Sequence, residues 1–190
     1  MRPASVQWTL PATIFVASLG ASSAAFAVDY LTAEQARTLL MPGAVQWQDK
    51  AHSLSAEQLG AIAKLSAVGA RSAAWHIAHA LDDKGHYAGS VVVDQVIGKF
   101  ELITYAVGIA ANGAVTGVEI LSYRESHGSE IRLPAWRKQF VGKTLAQPIK
   151  IGDDIALISG ATLSCSHVTD GVRRIVAVLK VLRDGGQLPA

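Results

Sequence analysis

The sequence predicts an α+β domain in which an antiparallel, twisted sheet is packed by one C-terminal helix and preceded by a helical N-terminal extension. Four apolar, β-branched segments follow one another between residues 74 and 122, as in a meander of antiparallel strands. Further on, apolar residues recur three and four apart at 168–182, the pattern of a helix with one buried face. Hydrophobic residues make up 50% of the 190 residues and charged ones 17%, which excludes the disordered class.

Residues 1–27 have the pattern of an export signal. Arg2 supplies a positive start, residues 10–19 are a short apolar stretch, and the tripeptide at 25–27 is a small-residue cleavage site. We therefore expect a periplasmic protein whose mature chain begins at Val28. The alternative is an uncleaved anchor in the inner membrane, for which the polar residues are unfavourable, because a span needs about 20 mainly apolar residues.

The extension, residues 28–73, is predicted to contain two helices. Capping boxes at 32–35 and 55–58 each precede a run of helix-forming residues. The first helix should end near Met41, where Pro-Gly follows, and the second should run over about residues 56–65.

The four predicted strands begin at Ala74, Tyr87, Phe100 and Val115. The Asn-Gly pair at 112–113 is a hairpin turn, and Gly108 indicates a bulge or a close approach. His76 and His79 are three residues apart, which places them on opposite faces of a strand. We therefore predict no metal site there. Residues 133–141, with a proline near the start, are predicted as a short amphipathic helix.

The segment 151–176 joins a turn of small residues to the start of the last helix. Its centre is Ser159-Gly160-Ala161-Thr162, followed by further hydroxyl groups. Gly160 lets a ligand approach the backbone closely, and a helix start offers unpaired N–H groups at the positive end of the dipole. The pattern predicts an anion site, most often for phosphate. The alternative is a plain helix N-cap. The helix is expected to begin near Ser164 or Ser166 and to end at 184–186.

Ser159-Gly160-Ala161-Thr162, with small and hydroxyl residues and a Val-rich helix after it, resembles the flavinylation motif of the FMN-binding domain family. That family includes the flavin-carrying subunits of the Rnf and sodium-translocating NADH:quinone oxidoreductase complexes. In it, a separate FAD:protein FMN transferase joins the phosphate of FMN to the motif threonine. The resemblance covers roughly residues 85–182 and implies a phosphoester at Thr162. It places the FMN-binding domain at 74–183 and a tail at 184–190.

The resemblance also implies a set of FMN contacts. The family has a loop reading roughly Glu-Thr-Pro-Gly-Leu-Gly near the flavin ring, to which Glu125 and Gly128 correspond, while Ser126-His127 replaces Thr-Pro. Tyr123 is expected either to stack on the flavin or to pack in the core, and the loop is either a flavin contact or a solvated connection. The expected cofactor-binding residues are Thr162, Ser159, Gly160, Ala161, Leu163, Ser164, Glu125, Gly128 and Tyr123.

Two functions are compatible with this sequence. One is an exported flavoprotein electron carrier with FMN on Thr162 and a membrane redox partner. The other is a periplasmic accessory or binding module that holds a phosphate-bearing ligand reversibly, or none. The second is supported by Ala156, which stands where the family usually has aspartate. The sequence carries no Ser–His–Asp order, metal cluster or dinucleotide fingerprint, so redox chemistry would belong to the flavin.

Charge and cysteine content bear on the remaining classes. The formal net charge of +2 and the few aromatic residues give no basis for nucleic-acid binding. Cys165 is alone in the chain and is either a packed small residue or a thiol whose pKa the helix N-terminus lowers. The arginines and the lysine of the last helix (Arg173, Arg174, Lys180 and Arg183) are expected to be mostly solvated. The alternative is that an arginine reaches a phosphate from a neighbouring turn.

Overall fold

A six-stranded antiparallel sheet forms the centre of the computed structural model, which describes residues 28–189. The strand order is β1-β6-β5-β4-β3-β2, so the chain passes from β2 to β6 as a meander and β1 lies beside β6. The strands are β1 (Val28–Asp29), β2 (Gln46–Ser53), β3 (Ala74–Leu81), β4 (Tyr87–Ile97), β5 (Leu102–Ala110) and β6 (Val115–Tyr123). The predicted α+β class and meander are confirmed. The predicted export signal lies outside the described residues.

Four α-helices accompany the sheet: α1 (Ala33–Leu40), α2 (Ala56–Ser66), α3 (Pro134–Arg137) and α4 (Thr162–Asp184). Both predicted capping boxes are present at the starts of α1 and α2. The predicted helix at 133–141 is α3 flanked by 3₁₀ turns at Ser129–Arg132 and Lys138–Phe140. Within residues 28–189 no helix is long and apolar enough to cross a bilayer.

Strand β2 was not predicted from the sequence. It pairs with β3 along its whole length, from Gln46 opposite Leu81 to Ser53 opposite Ala74. Most of its side chains are exposed because it lies at an edge of the sheet, so it lacks the apolar alternation that marks a half-buried strand. The region predicted as helical thus supplies a strand of the main sheet as well as two helices.

Helices cover both faces of the sheet. On one face α1 packs through Ala36 and Leu40 against small residues of the strands. On the other face α4 buries Val168, Val172 and Ile175 against the strands, with α2 beside it. These are residues of the predicted apolar stripe, which is confirmed.

Gly171 is the closest approach of α4 to the sheet. A Cβ atom at this position would overlap the hydroxyl group of Tyr105, which lies fully buried on β5. The glycine that interrupts the helix pattern in the sequence therefore lets the helix seat on the sheet.

Arg174 was expected in solvent and is buried, with 6% of its surface exposed. Its Nε donates to the carbonyl of Gly69 at 2.8 Å, and its Nη1 lies 3.3 Å from Asp94. Tyr105 donates to the same Asp94 carboxylate at 3.0 Å. The buried guanidinium is therefore paired and hydrogen-bonded, which offsets the cost of removing it from water.

A buried histidine pair lies on the face of the sheet that α4 covers. His79 Nε2 is 2.9 Å from His52 Nε2, and His79 Nδ1 is 2.8 Å from the hydroxyl of Ser90. His76 lies on the opposite face of β3, as predicted, and is exposed. Burial lowers the pKa of His79 to about 4 and also lowers the pKa of His52. Both rings are therefore neutral at pH 7, where one can donate to the other.

The histidine pair predicts loss of stability in mild acid. The unfolded chain takes up protons near the ordinary pKa of histidine, before the folded chain does, so the free energy of unfolding should fall as the pH drops from about 6.5 toward 4. We expect about 1–2 kcal/mol less stability at pH 5 than at pH 7. Urea unfolding at both pH values should show this loss in the wild type and in His76→Asn, and a smaller loss in His79→Asn. An equal loss in all three proteins would contradict the assignment.

Candidate functional site

A cavity of about 680 Å³ lies at one end of the sheet. Three segments surround it: the β4–β5 turn, the loop after β6, and the turn that leads into α4. Its volume is in the range of small-molecule sites, roughly 300–1,000 Å³. The lining residues are Lys99, Phe100, Glu125, Ser126, His127, Gly128, Ser129, Glu130, Gly160, Ala161, Thr162, Leu163 and Ser164. The two segments predicted to hold a ligand therefore meet in one pocket.

The turn before α4 presents a helix start to this cavity. Helix α4 begins at Thr162, earlier than the predicted Ser164 or Ser166, and Ala161 occupies the N-cap position without any side-chain cap. Gly160 has a φ of +84°, the left-handed conformation that glycine adopts without strain. Thr162 is exposed. The uncapped N–H groups and the dipole of a 23-residue helix thus face the cavity beside a threonine hydroxyl.

The segment approaching this turn is fixed by the short helix before it. Trp136 Nε1 donates to the carbonyl of Ala156 at 2.8 Å, and the Ala156 N–H donates to Gln139 Oε1 at 2.8 Å. Asp154 accepts from Lys143 Nζ at 2.8 Å, and this group with two backbone N–H groups lowers its pKa although burial acts to raise it. Asp154 therefore serves the loop and does not line the cavity.

Tyr123, one of the expected flavin contacts, cannot stack on a ligand. Its ring is buried, with 2% of its surface exposed, and it lies beneath the cavity. Its hydroxyl donates to the carbonyl of His127 and lies 3.1 Å from the Ser164 hydroxyl. Of the two interpretations of Tyr123, the core position is correct. The side chain ties the loop after β6 to the first turn of α4.

Gly128 is the point at which this loop contacts the α4 turn. It has a φ of +88°, and a Cβ there would lie 2.6 Å from the Tyr123 hydroxyl oxygen and 3.2 Å from the Ala161 Cβ. The glycine predicted as a flavin contact also has a packing role. Ser159, the first residue of the motif, is exposed and is not part of the cavity lining.

Glu125 is hydrogen-bonded to the β4–β5 turn. Its Oε1 accepts from the N–H of Phe100 at 2.6 Å and from the N–H of Glu101 at 3.0 Å. Burial acts to raise the pKa of Glu125, but hydrogen bonds from these backbone groups lower it. Sequence reasoning missed Lys99 and Phe100 because they belong to a hairpin turn remote in sequence from the motif. An exposed aromatic residue in a tight turn was the available signal.

Cys165 is a packed residue of α4. It is fully buried, and burial raises the pKa of its thiol. The alternative of a helix-activated thiol is therefore wrong. Among residues 28–189, no group of three or more potential metal ligands comes together.

Gly128→Ala tests the contact between the loop and the α4 turn. We expect a loss of roughly 1–3 kcal/mol in the free energy of unfolding. The new methyl group would overlap the Tyr123 hydroxyl, and alanine is strained at a positive φ. Gly142→Ala is the control, because Gly142 has a φ of +80° and nothing lies within 4 Å of a Cβ there. Urea unfolding should show the larger loss for Gly128→Ala. Equal losses would mean that the positive φ alone causes the loss and that the contact with Tyr123 contributes nothing.

Part of this chain is similar to known proteins. Residues 98–177 match the FMN-binding domain family. Over 94 residues the chain is 28% identical to a subunit of the Na(+)-translocating ferredoxin:NAD(+) oxidoreductase complex of Acetobacterium woodii, covering 45% of this chain and 44% of that protein. The chain thus spans less than half the length of this relative.

A solved structure, NqrC of Shewanella oneidensis, is similar over 83% of this chain and 82% of its own, with a TM-score of 0.43 and 16% identity. The family match includes every residue that lines the cavity. Residues 98–177 therefore resemble an FMN-binding domain.

Proposed function

We propose that this protein is an exported electron carrier that holds FMN through a phosphoester to Thr162 and passes electrons in a membrane-associated redox chain. One observation carries the proposal: an exposed threonine hydroxyl stands at the uncapped start of α4, inside the cavity of an FMN-binding domain. Electron transfer is supported by the similarity to the Acetobacterium woodii protein, whose name places it in an oxidoreductase complex. Export rests on the signal pattern of residues 1–27.

The residues of the cavity fit both parts of FMN. At the α4 turn, free N–H groups and the helix dipole favour a phosphate group, and Gly160 leaves the backbone open to close approach. At the other side the lining is partly apolar, with Phe100 73% exposed and Leu163 45% exposed. A planar aromatic ring system would cover these side chains and remove their surface from water.

FMN would supply the redox chemistry when bound, so electron transfer needs no acid–base or nucleophilic side chain of the protein. The residues of this chain have three tasks. Thr162 provides the attachment oxygen, the α4 N-terminus stabilises the phosphate charge, and the loop held by Tyr123 and Gly128 closes one side of the cavity.

The covalent bond would be made by a separate FAD:protein FMN transferase. The Thr162 oxygen would replace AMP on the phosphate next to the flavin, so that FAD gives threonine-linked FMN and free AMP, and the hydroxyl proton is released. Thr162 is exposed and belongs to the first turn of a helix, where another protein can reach it. Because Thr162 is already at the cavity, attachment requires no rearrangement of the fold.

A reversible binding module is the second candidate. Ala156 stands where the family usually has aspartate, and Asp154, two residues earlier, forms an ion pair with Lys143. The Asp154 carboxylate is therefore not free to replace the missing aspartate in recognition by the transferase. In that case the same helix start would hold a phosphate-bearing ligand without a covalent bond.

The mass of the mature protein tests the covalent bond. After co-expression with a flavin transferase in an exporting bacterium, the wild type should gain the mass of one FMN less water, located at Thr162 by peptide fragmentation. Thr162→Ala should lose this gain completely, because no oxygen remains for the ester. Ser159→Ala, which removes a nearby exposed hydroxyl outside the cavity lining, should keep it.

Two outcomes would contradict the covalent proposal. Flavin bound covalently to Thr162→Ala would assign the bond to another residue. An unmodified wild type that binds free FMN reversibly would favour the second candidate. A wild type whose signal segment remains attached would contradict cleavage before Val28.

A further inference from the structure

The carboxylate of Glu125 acts on the backbone of another segment. Its Oε1 accepts two N–H groups of the β4–β5 turn, from Phe100 and from Glu101, at 2.6 and 3.0 Å. Hydrogen bonds to an ionised acceptor are among the stronger ones in proteins. The acceptor capacity that this oxygen would offer to a ligand is already used. The first role of Glu125 is therefore to hold the β4–β5 turn.

The turn is shaped to receive this carboxylate. Gly98 donates to the carbonyl of Glu101 at 2.7 Å, which closes the turn. A Cβ at Gly98 would overlap Glu125 Oε1, so the carboxylate packs directly against the glycine backbone. Gly98 is buried although it belongs to a hairpin end. The turn and the loop after β6 therefore form one connected wall of the cavity.

This turn carries the exposed side chains of Lys99 and Phe100. Phe100 is 73% exposed, the largest exposed fraction among the large hydrophobic residues described. The ammonium of Lys99 lies 4.9 Å from the Phe100 ring centroid. Both residues line the cavity. An exposed aromatic ring at the edge of a cavity is suited to cover an apolar, planar ligand.

We propose that Glu125 is a positioning residue, which acts on the flavin through the β4–β5 turn by holding Phe100 and Lys99 against the ring system. This inference rests on the proposed function, because it requires FMN in the cavity. It changes the role that the family resemblance gives to Glu125, from a flavin contact to the support of a flavin contact. Phe100 and Lys99 become the residues that touch the ring.

Amide hydrogen exchange tests the first half of this proposal without reference to the flavin. In Glu125→Ala, the amides of Phe100 and Glu101 should exchange about tenfold faster or more, because they lose a charged acceptor. Glu125→Gln keeps an acceptor oxygen and should give an intermediate rate. Glu130→Ala is the matched control, since Glu130 lines the same cavity and its removal takes away the same charge. It should leave both amides unchanged.

Quenching of flavin fluorescence by acrylamide, a neutral collisional quencher, tests the second half. A side chain that covers the flavin ring shields it from the quencher, so Phe100→Ala should raise the quenching constant of bound FMN about twofold or more. Glu125→Ala should raise it similarly and Glu130→Ala should not. In the Phe100→Ala background, Glu125→Ala should add nothing further, because its effect passes through Phe100.

The outcomes separate this inference from the proposed function. If the wild type carries FMN but Glu125→Ala changes the quenching constant no more than Glu130→Ala, the positioning role is wrong and the electron carrier stands. Additive effects of Phe100→Ala and Glu125→Ala would likewise overturn it, by showing that Glu125 acts on the flavin directly. A wild type without any FMN, shown by its absorbance, would overturn both proposals.

Discussion

The seating of α4 on the sheet is the constraint on which the site depends. Because Gly171 has no side chain, the helix reaches the ring of Tyr105 and can bury its apolar stripe against the strands. The same contact fixes the direction of the helix axis and hence the place of its N-terminus. Thr162 faces a cavity because a residue more than two turns further along the helix fits the sheet closely. The packing of the core and the position of the start of α4 therefore depend on the same contact.

The elements that the sequence predicted well are those whose signal is local. The capping boxes, the hairpin turn at 112–113 and the apolar stripe of α4 each depend on neighbours within a few residues, and all are present. The pairing of the Glu125 loop with the Thr162 turn was predicted through the resemblance to a family.

What the sequence did not predict depends on contacts between distant segments. Strand β2 is a strand because β3 lies beside it, although few of its side chains are buried. Arg174 is buried because Asp94 and the Gly69 carbonyl approach it from other segments. Phe100 lines the cavity beside Glu125, 25 residues later in the chain, whose carboxylate accepts its N–H. Charge patterns on one helix cannot show such partners.

The short strand β1 has a consequence for how the domain is presented. Val28 pairs with Tyr123 at the end of β6, directly before the loop that lines the cavity. The chain therefore enters the domain at the cavity end. If the preceding segment stays in a bilayer, its tether holds the flavin opening within a few residues of the membrane surface. If that segment is removed, the same opening is free to turn toward a partner in solution, so retention or removal of the segment would decide which surroundings the cavity meets.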